Sequence, residues 1–175
     1  LYVFSAENWR RPDEEVTGLF GLIDGAVRQY TDELVEEGVR VRVVGRLHEA
    51  PADVQRSIRE AEERTRGGSR MALNIAFNYS GRSEIVDAVR ALIAAGVPAH
   101  EIDEERLDEH LYTAGQPDPD LIIRTGGEQR TSNFLLWQGA YAELVFCAAL
   151  WPDFREADLD AALAEFTLRQ RRYGA

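Results

Sequence analysis

Met71-Ala72-Leu73-Asn74-Ile75-Ala76-Phe77-Asn78-Tyr79 is a strand-length run that is apolar almost throughout. Interrupted only by Asn74 and Asn78, it predicts a strand buried on both faces, and such strands belong to parallel sheets covered by helices. It ends at Asn78-Tyr79-Ser80-Gly81-Arg82, a loop into a helix from about Ser83 to Ala95. Upstream, Arg40 to Val44 alternates as a strand ending at Gly45, and Pro51 to about Thr65 is a charged amphipathic helix broken by Gly67-Gly68. Further back, Pro12 opens a long helix whose first turn carries Asp13, Glu14 and Glu15 at the positive end of the dipole. Val16, Leu19, Phe20, Ile23, Val27, Tyr30 and Leu34 recur along it at helical spacing, with Gly38 as the C-cap candidate.

The chain begins inside a strand, Leu1-Tyr2-Val3-Phe4, without a polar lead, from which we expect an N-terminal part of the domain to precede it. Downstream we expect a charged helix over Glu101 to Leu111, a connector at Gly115 to Pro119 and a strand at Leu121 to Ile123. A turn-rich region from Asn133 to Ala149 and a helix from about Glu156 to Arg171 complete the chain. Strands alternating with helices predict an α/β fold, a mainly parallel sheet with helices on both faces, as a single catalytic domain over residues 1–175.

Composition narrows the functional classes. The formal net charge is −11, which argues against nucleic acid as the main partner because phosphate-backbone binding needs a basic face. Every basic residue is arginine, so Schiff-base chemistry through lysine is excluded. No apolar run approaches the length of a membrane span, and the reading is of a cytoplasmic chain. The single cysteine, Cys147, sits among Val145, Phe146, Ala148 and Ala149 and reads as a buried, inert thiol. His48, His100 and His110 are scattered, without zinc-ligand spacing.

The chemistry concentrates after the strand at Leu121. Arg124-Thr125-Gly126-Gly127-Glu128-Gln129-Arg130-Thr131-Ser132-Asn133 sets two arginines and a serine around a glycine pair. Guanidinium forks match phosphate oxygens, and glycines allow backbone N–H groups to turn toward an anion, so the loop reads as an oxyanion receptor suited to a diphosphate. A second dense motif, Tyr2-Val3-Phe4-Ser5-Ala6-Glu7-Asn8-Trp9-Arg10-Arg11-Pro12, also follows a strand end. Ligands of open parallel sheets bind beyond such ends, and both loops are expected to serve one site.

These two motifs, with Leu135-Leu136-Trp137-Gln138, Tyr141-Ala142-Glu143-Leu144 and Leu150-Trp151-Pro152-Asp153-Phe154, closely resemble the cis-prenyltransferase family, undecaprenyl diphosphate synthase type. The resemblance runs in order from Leu1 to Arg172-Tyr173-Gly174. It implies an Mg2+-dependent enzyme that condenses isopentenyl diphosphate onto an allylic diphosphate with Z stereochemistry. It also implies a homodimer, with peripheral membrane association through the apolar product. Arg124, Arg130 and Ser132 then bind the diphosphate of isopentenyl diphosphate, and Glu143 lies near the metal, with a surface carboxylate as the alternative. Gln129 stands where some members have histidine, which puts that histidine's contact in doubt for this chain.

In the first loop the resemblance implies catalytic roles for Ser5 and Asn8, contact with the prenyl chain for Trp9 or plain packing, and the allylic diphosphate for Arg11. Glu15 matches an acidic position that steadies the loop, or is helix surface charge. Leu19, Phe20, Leu22 and Ile23 form core or one tunnel wall. Arg172 and Gly174 resemble the Arg-x-Gly element that completes the partner subunit's site. An Asp-Gly-Asn-type motif is expected in the preceding segment. Val3, opposite in strand phase to Phe4, is the product-length residue by this resemblance, or an ordinary β-branched core residue. The alternative reading of the chain is a non-catalytic scaffold subunit of a heteromeric cis-prenyltransferase.

Overall fold

The computed structural model describes residues 1–169, so the expected dimer-completing residues Arg172 and Gly174 lie outside the described residues. The chain divides into two compact units, Leu1–Ala114 and Gly115–Ala175.

In the first unit β1 (Tyr2–Ser5), β2 (Val39–Val44) and β3 (Met71–Tyr79) form a parallel sheet in the order β1-β3-β2. The central strand is the one expected from its apolar run, but only its C-terminal half is buried, and Met71 is 53% exposed. β1 pairs from Tyr2 with Ala76, so among the described residues the start of β3 is flanked by β2 alone.

α1 (Asp13–Glu36) starts directly after Pro12, and Gly38 adopts φ 66 just past its end, as a helix C-terminus favours. α1 and α2 (Ala52–Thr65) bury Val16, Phe20, Val54 and Ile58 against Phe4 and Phe77 of the sheet. Phe4 and Phe77 stack with ring centroids 5.4 Å apart, so cross-strand aromatic contact reinforces the ladder. The β2 edge of the sheet is covered by α2. The Val41 and Val43 N–H groups of β2 donate to Thr65 Oγ1 at 3.1 Å and Glu62 Oε1 at 2.8 Å, satisfying an edge strand with helix side chains.

α3 (Gly81–Ala94) begins two residues earlier than the sequence reading because the Ser80 hydroxyl accepts the Ser83 N–H and fixes the cap. The helix expected over Glu101 to Leu111 is shorter, α4 (Glu104–Asp108). Asp103 caps it by accepting the Arg106 N–H at 2.9 Å, and Ile102 before it is extended.

The second unit holds β4 (Leu121–Arg124) and β5 (Glu143–Phe146), paired in parallel from Leu121 with Glu143 to Arg124 with Phe146. β5 adds a strand within the region read only as turn-rich, Asn133 to Ala149: four residues between turns carry too little periodicity to declare a strand. Cys147, just beyond β5, is half-buried and not fully buried as expected. α5 (Glu156–Leu168) follows.

Two glycines separate backbone need from mere tolerance. Gly45 has φ 123, and an added Cβ would lie 2.1 Å from the Phe77 carbonyl oxygen, whereas one at Gly25 on α1 meets nothing within 4 Å. Gly45→Ala is expected to destabilise the protein by about 1–3 kcal/mol or more, while Gly25→Ala stabilises it by about 0.4–1 kcal/mol. Urea midpoints measure both, and shifts of the same sign would contradict the assignment.

Candidate active site

The arginine loop begins where β4 ends. Arg124 Nη1 donates to Ser132 Oγ at 2.6 Å and also to the Arg130 carbonyl. Its Nη2 donates to Glu128 Oε2, the same oxygen that accepts Arg130 Nη2. The three residues expected to bind a diphosphate are therefore gathered together, with one carboxylate oxygen between the guanidinium groups. Beside Arg130 first, and then Arg124, the Glu128 carboxyl is held below the usual carboxylate range. Glu128 was overlooked in the sequence reading; an acidic residue lying between two arginines in one turn was the available signal.

The glycine pair does something other than expected. Gly126 and Gly127 donate their N–H groups to the carbonyls of Ala149 and Cys147, at 2.8 and 2.9 Å. They extend the β4–β5 pairing beyond Arg124, whose own carbonyl accepts the Cys147 N–H at 2.7 Å. The cluster is thus gathered by side chains, and these two glycine N–H groups do not form the expected backbone nest. Its backbone is unusual all the same: Ser132, Asn133 and Leu135 have φ of 49, 65 and 45, a left-handed region that residues with a Cβ rarely occupy. Such strain persists only where surrounding structure enforces it, and it clusters at functional sites.

Glu143 opens β5, and its Oε2 accepts Arg169 Nη1 at 2.8 Å. Among the described residues no three His, Cys, Asp or Glu side chains lie together as a cation cage. A single carboxylate fits magnesium in another way, since that ion commonly takes one or two carboxylates and completes its shell with substrate phosphates and water. Gln129 is exposed.

In the first unit, Ser5 to Arg11 forms a tight turn after β1. Asn8 Oδ1 accepts the Ser5 N–H at 2.7 Å, so these two expected catalytic residues are paired with each other and Asn8 braces the Ala6–Arg10 turn. Trp9 is 38% exposed; its ring meets Phe4 and Phe20 edge-on at 5.4 Å each, and its indole Nε1 donates to Asn78 Oδ1 at 2.8 Å. Arg11 is exposed and 3.6 Å from Glu15.

A cleft of about 500 Å³ opens beside this turn, with Trp9, Val16, Phe20 and Val54 on its apolar wall and Asp13 and Asp53 among its polar residues. Phe20 thus joins the wall, whereas Leu19 and Ile23 pack on the core and Leu22 is 71% exposed. Val3 is 40% exposed and absent from the wall, while Phe4, next in the strand, is buried against Trp9 and Phe20.

Within the first unit runs a polar frame that sequence reasoning missed, because its members come from separate elements. Arg46 donates bidentately to Asp87 at 2.7 and 2.8 Å, and Tyr112 Oη donates to the same carboxylate at 2.5 Å. Arg46 holds the Asp87 carboxyl below its ordinary range. Glu84, 1% exposed, accepts the Tyr79 hydroxyl at 2.5 Å and the Tyr112 N–H at 2.9 Å.

A parallel α/β chain with two arginines and a serine gathered on one loop at a strand end is the class that fold and loop define. Comparison with known proteins narrows it. The prenyltransferase family model described as "Putative undecaprenyl diphosphate synthase" matches residues 1–174. An isoprenyl transferase of Brucella suis is 49% identical over 178 residues, covering 99% of this chain and 70% of that protein. A tritrans,polycis-undecaprenyl-diphosphate synthase (geranylgeranyl-diphosphate specific) of Methanocaldococcus jannaschii is 46% identical, covering 99% and 65%. Among solved structures, lavandulyl diphosphate synthase from Lavandula x intermedia, in complex with dimethylallyl diphosphate, superposes with a TM-score of 0.94 at 35% identity, covering 99% of this chain and 77% of that one. A probable undecaprenyl diphosphate synthase from Campylobacter jejuni gives 0.92 at 34%, covering 100% and 82%. The chain belongs to the undecaprenyl diphosphate synthase family and is a cis-prenyltransferase.

The charge balance of the arginine loop is testable by titration. Because the Glu128 pKa is depressed on folding, its ion pairs stabilise the fold fully above the unfolded carboxylate range, and that contribution is lost as pH falls through the lower folded value. Carboxyl NMR is expected to show Glu128 titrating below its ordinary 4.5 and moving up in Arg130→Ala. An unchanged titration in that variant would mean that Arg130 does not hold the carboxylate.

Proposed function

We propose that this cis-prenyltransferase joins isopentenyl diphosphate to an allylic diphosphate, forming a Z double bond and extending a polyprenyl diphosphate. The carrying observation is the convergence of Arg124, Arg130 and Ser132 in one loop, with both guanidinium groups already on a single anionic oxygen. A diphosphate offers the same arginines more oxygens than Glu128 does, in the geometry guanidinium forks prefer. The incoming isopentenyl diphosphate takes the place of the Glu128 carboxylate.

The reaction breaks the allylic C–O bond, whose electron pair leaves with inorganic diphosphate. A C–C bond forms to isopentenyl diphosphate, and a proton is then lost from the condensed product. Two needs fall on the protein: neutralising the diphosphates and accepting that proton. Arg11 is proposed for the allylic diphosphate and Ser5 with Asn8 for the proton, supported by their adjacency in one braced turn. Magnesium, when bound, neutralises diphosphate charge, and Glu143 is the carboxylate proposed to hold it.

Further readings rest on family membership: a homodimer in which Arg172 and Gly174 complete the partner's site, a cytoplasmic enzyme, and peripheral association with membrane through the product. Among the described residues no helix is long and apolar enough to cross a membrane. Product length is proposed to depend on Val3, and the cleft wall offers Phe20 as the rival. If Val3 sets it, Val3→Ala lengthens the chromatographic product ladder and Phe20→Ala does not; the reverse outcome assigns length to the cleft.

Arg130→Ala in the full-length enzyme is expected to weaken use of isopentenyl diphosphate by about 10- to 150-fold in kcat/KM, the worth of a charge-assisted contact of about 1.5–3 kcal/mol. Steady-state kinetics at subsaturating isopentenyl diphosphate measures this. Unaltered kinetics would remove Arg130 from the receptor.

A further inference from the structure

Asn78 is the next-to-last residue of β3, 2% exposed, and adopts φ 47. Asparagine tolerates the left-handed region better than most residues, yet a strand rarely ends there without cause. The cause lies in what the side chain reaches. Its Oδ1 accepts the indole N–H of Trp9 at 2.8 Å, and its Nδ2 donates to the Arg46 carbonyl at 3.0 Å and to Glu49 Oε2 at 2.8 Å. Its backbone carbonyl accepts the Arg46 N–H at 3.3 Å. One buried amide of β3 therefore ties together the segments that follow β1 and β2.

The two sides of this tie differ in strength. On the β2 side Arg46 is itself anchored by its two hydrogen bonds to Asp87 of α3, and Glu49 lies 3.7 Å from the Arg46 guanidinium. On the β1 side the turn carrying Trp9 has one polar contact to Asn78 and a ring that is 38% exposed. When the tie loosens, the Trp9 turn is the part that gives.

We propose that Asn78 is a positioning residue of this enzyme, acting through the Trp9 indole N–H to hold the Ser5–Arg11 turn against the anchored segment after β2. Its effect on catalysis rests on the reading above that this turn meets the allylic substrate. The clamp itself stands on geometry alone. Glycine accepts the same backbone angle, so Asn78→Gly removes all three side-chain bonds without adding strain. Trp9→Phe removes only the donated N–H and keeps an aromatic ring.

The test uses the full-length enzyme and two readouts. With Trp137→Phe, Trp151→Phe and any tryptophan outside residues 1–175 also replaced by phenylalanine, Trp9 is the reporter, and Asn78→Gly is expected to shift its emission to the red. In steady-state kinetics, Asn78→Gly and Trp9→Phe are each expected to raise the KM for the allylic diphosphate about tenfold, the worth of one hydrogen bond. The double variant is expected to be no worse than the poorer single one, because both remove the same link. Effects that multiply in the double variant, or Trp9 emission unchanged by Asn78→Gly, would overturn the proposal. Should Asn78→Gly not fold, Trp9→Phe decides alone, and an unaltered allylic KM counts against the clamp. A parent enzyme that performs no condensation would refute the functional reading instead, while the emission result still decides the clamp.

Discussion

Everything in the Leu1–Ala114 unit depends on the two-sided pairing of β3. β1 and β2 have no ladder with each other; each is held by β3, and the register of each decides what it buries. The parallel arrangement brings Ser5 level with Tyr79, so the Trp9 turn starts beside the end of the central strand. Phe77 and Phe4 then bury against Phe20 of α1, and the aromatic cluster closes under the same turn. Strand pairing, hydrophobic packing and the placement of the Trp9 turn are consequences of one register. The polar frame of Arg46, Asp87, Tyr112, Glu84 and Asn78 follows from it, because buried polar groups near strand ends must find partners in neighbouring segments.

The Gly115–Ala175 unit solves a different problem. In a sequence of net charge −11 the two arginines proposed to receive the diphosphate have their charge balanced from within by Glu128. Balancing has a physical advantage: two guanidinium groups fixed on one oxygen are already oriented when a diphosphate arrives, so less side-chain entropy is lost on binding. In the proposed reading the same carboxylate is displaced, which tempers affinity and favours release. The glycine N–H groups are spent on the ladder with the β5 side, which stiffens the platform from which Arg124 projects.

Much of this was legible in the residues, and the failures are instructive. The bounds of β3 follow from its apolar run, and the start of α1 from Pro12 and the acidic turn behind it. Arg124, Arg130 and Ser132 could be grouped because the loop is short and their chemistry converges on anions. β5 stayed hidden because a four-residue strand inside a turn-rich segment has no pattern of its own; its evidence is the partner β4. The direction of the Gly126 and Gly127 N–H groups likewise depends on carbonyls from beyond β5, which no local spacing reveals. Asn78 read as an interruption of an apolar strand, although it is the polar group that joins three segments.

The central claim is that the Arg124–Ser132 loop receives a diphosphate in place of its own carboxylate. A crystal structure with isopentenyl diphosphate bound measures this most directly. The account predicts diphosphate oxygens within hydrogen-bond distance of both guanidinium groups and the Ser132 hydroxyl, with Glu128 turned away. Glu128 still bridging Arg124 and Arg130 while the diphosphate sits elsewhere would contradict it.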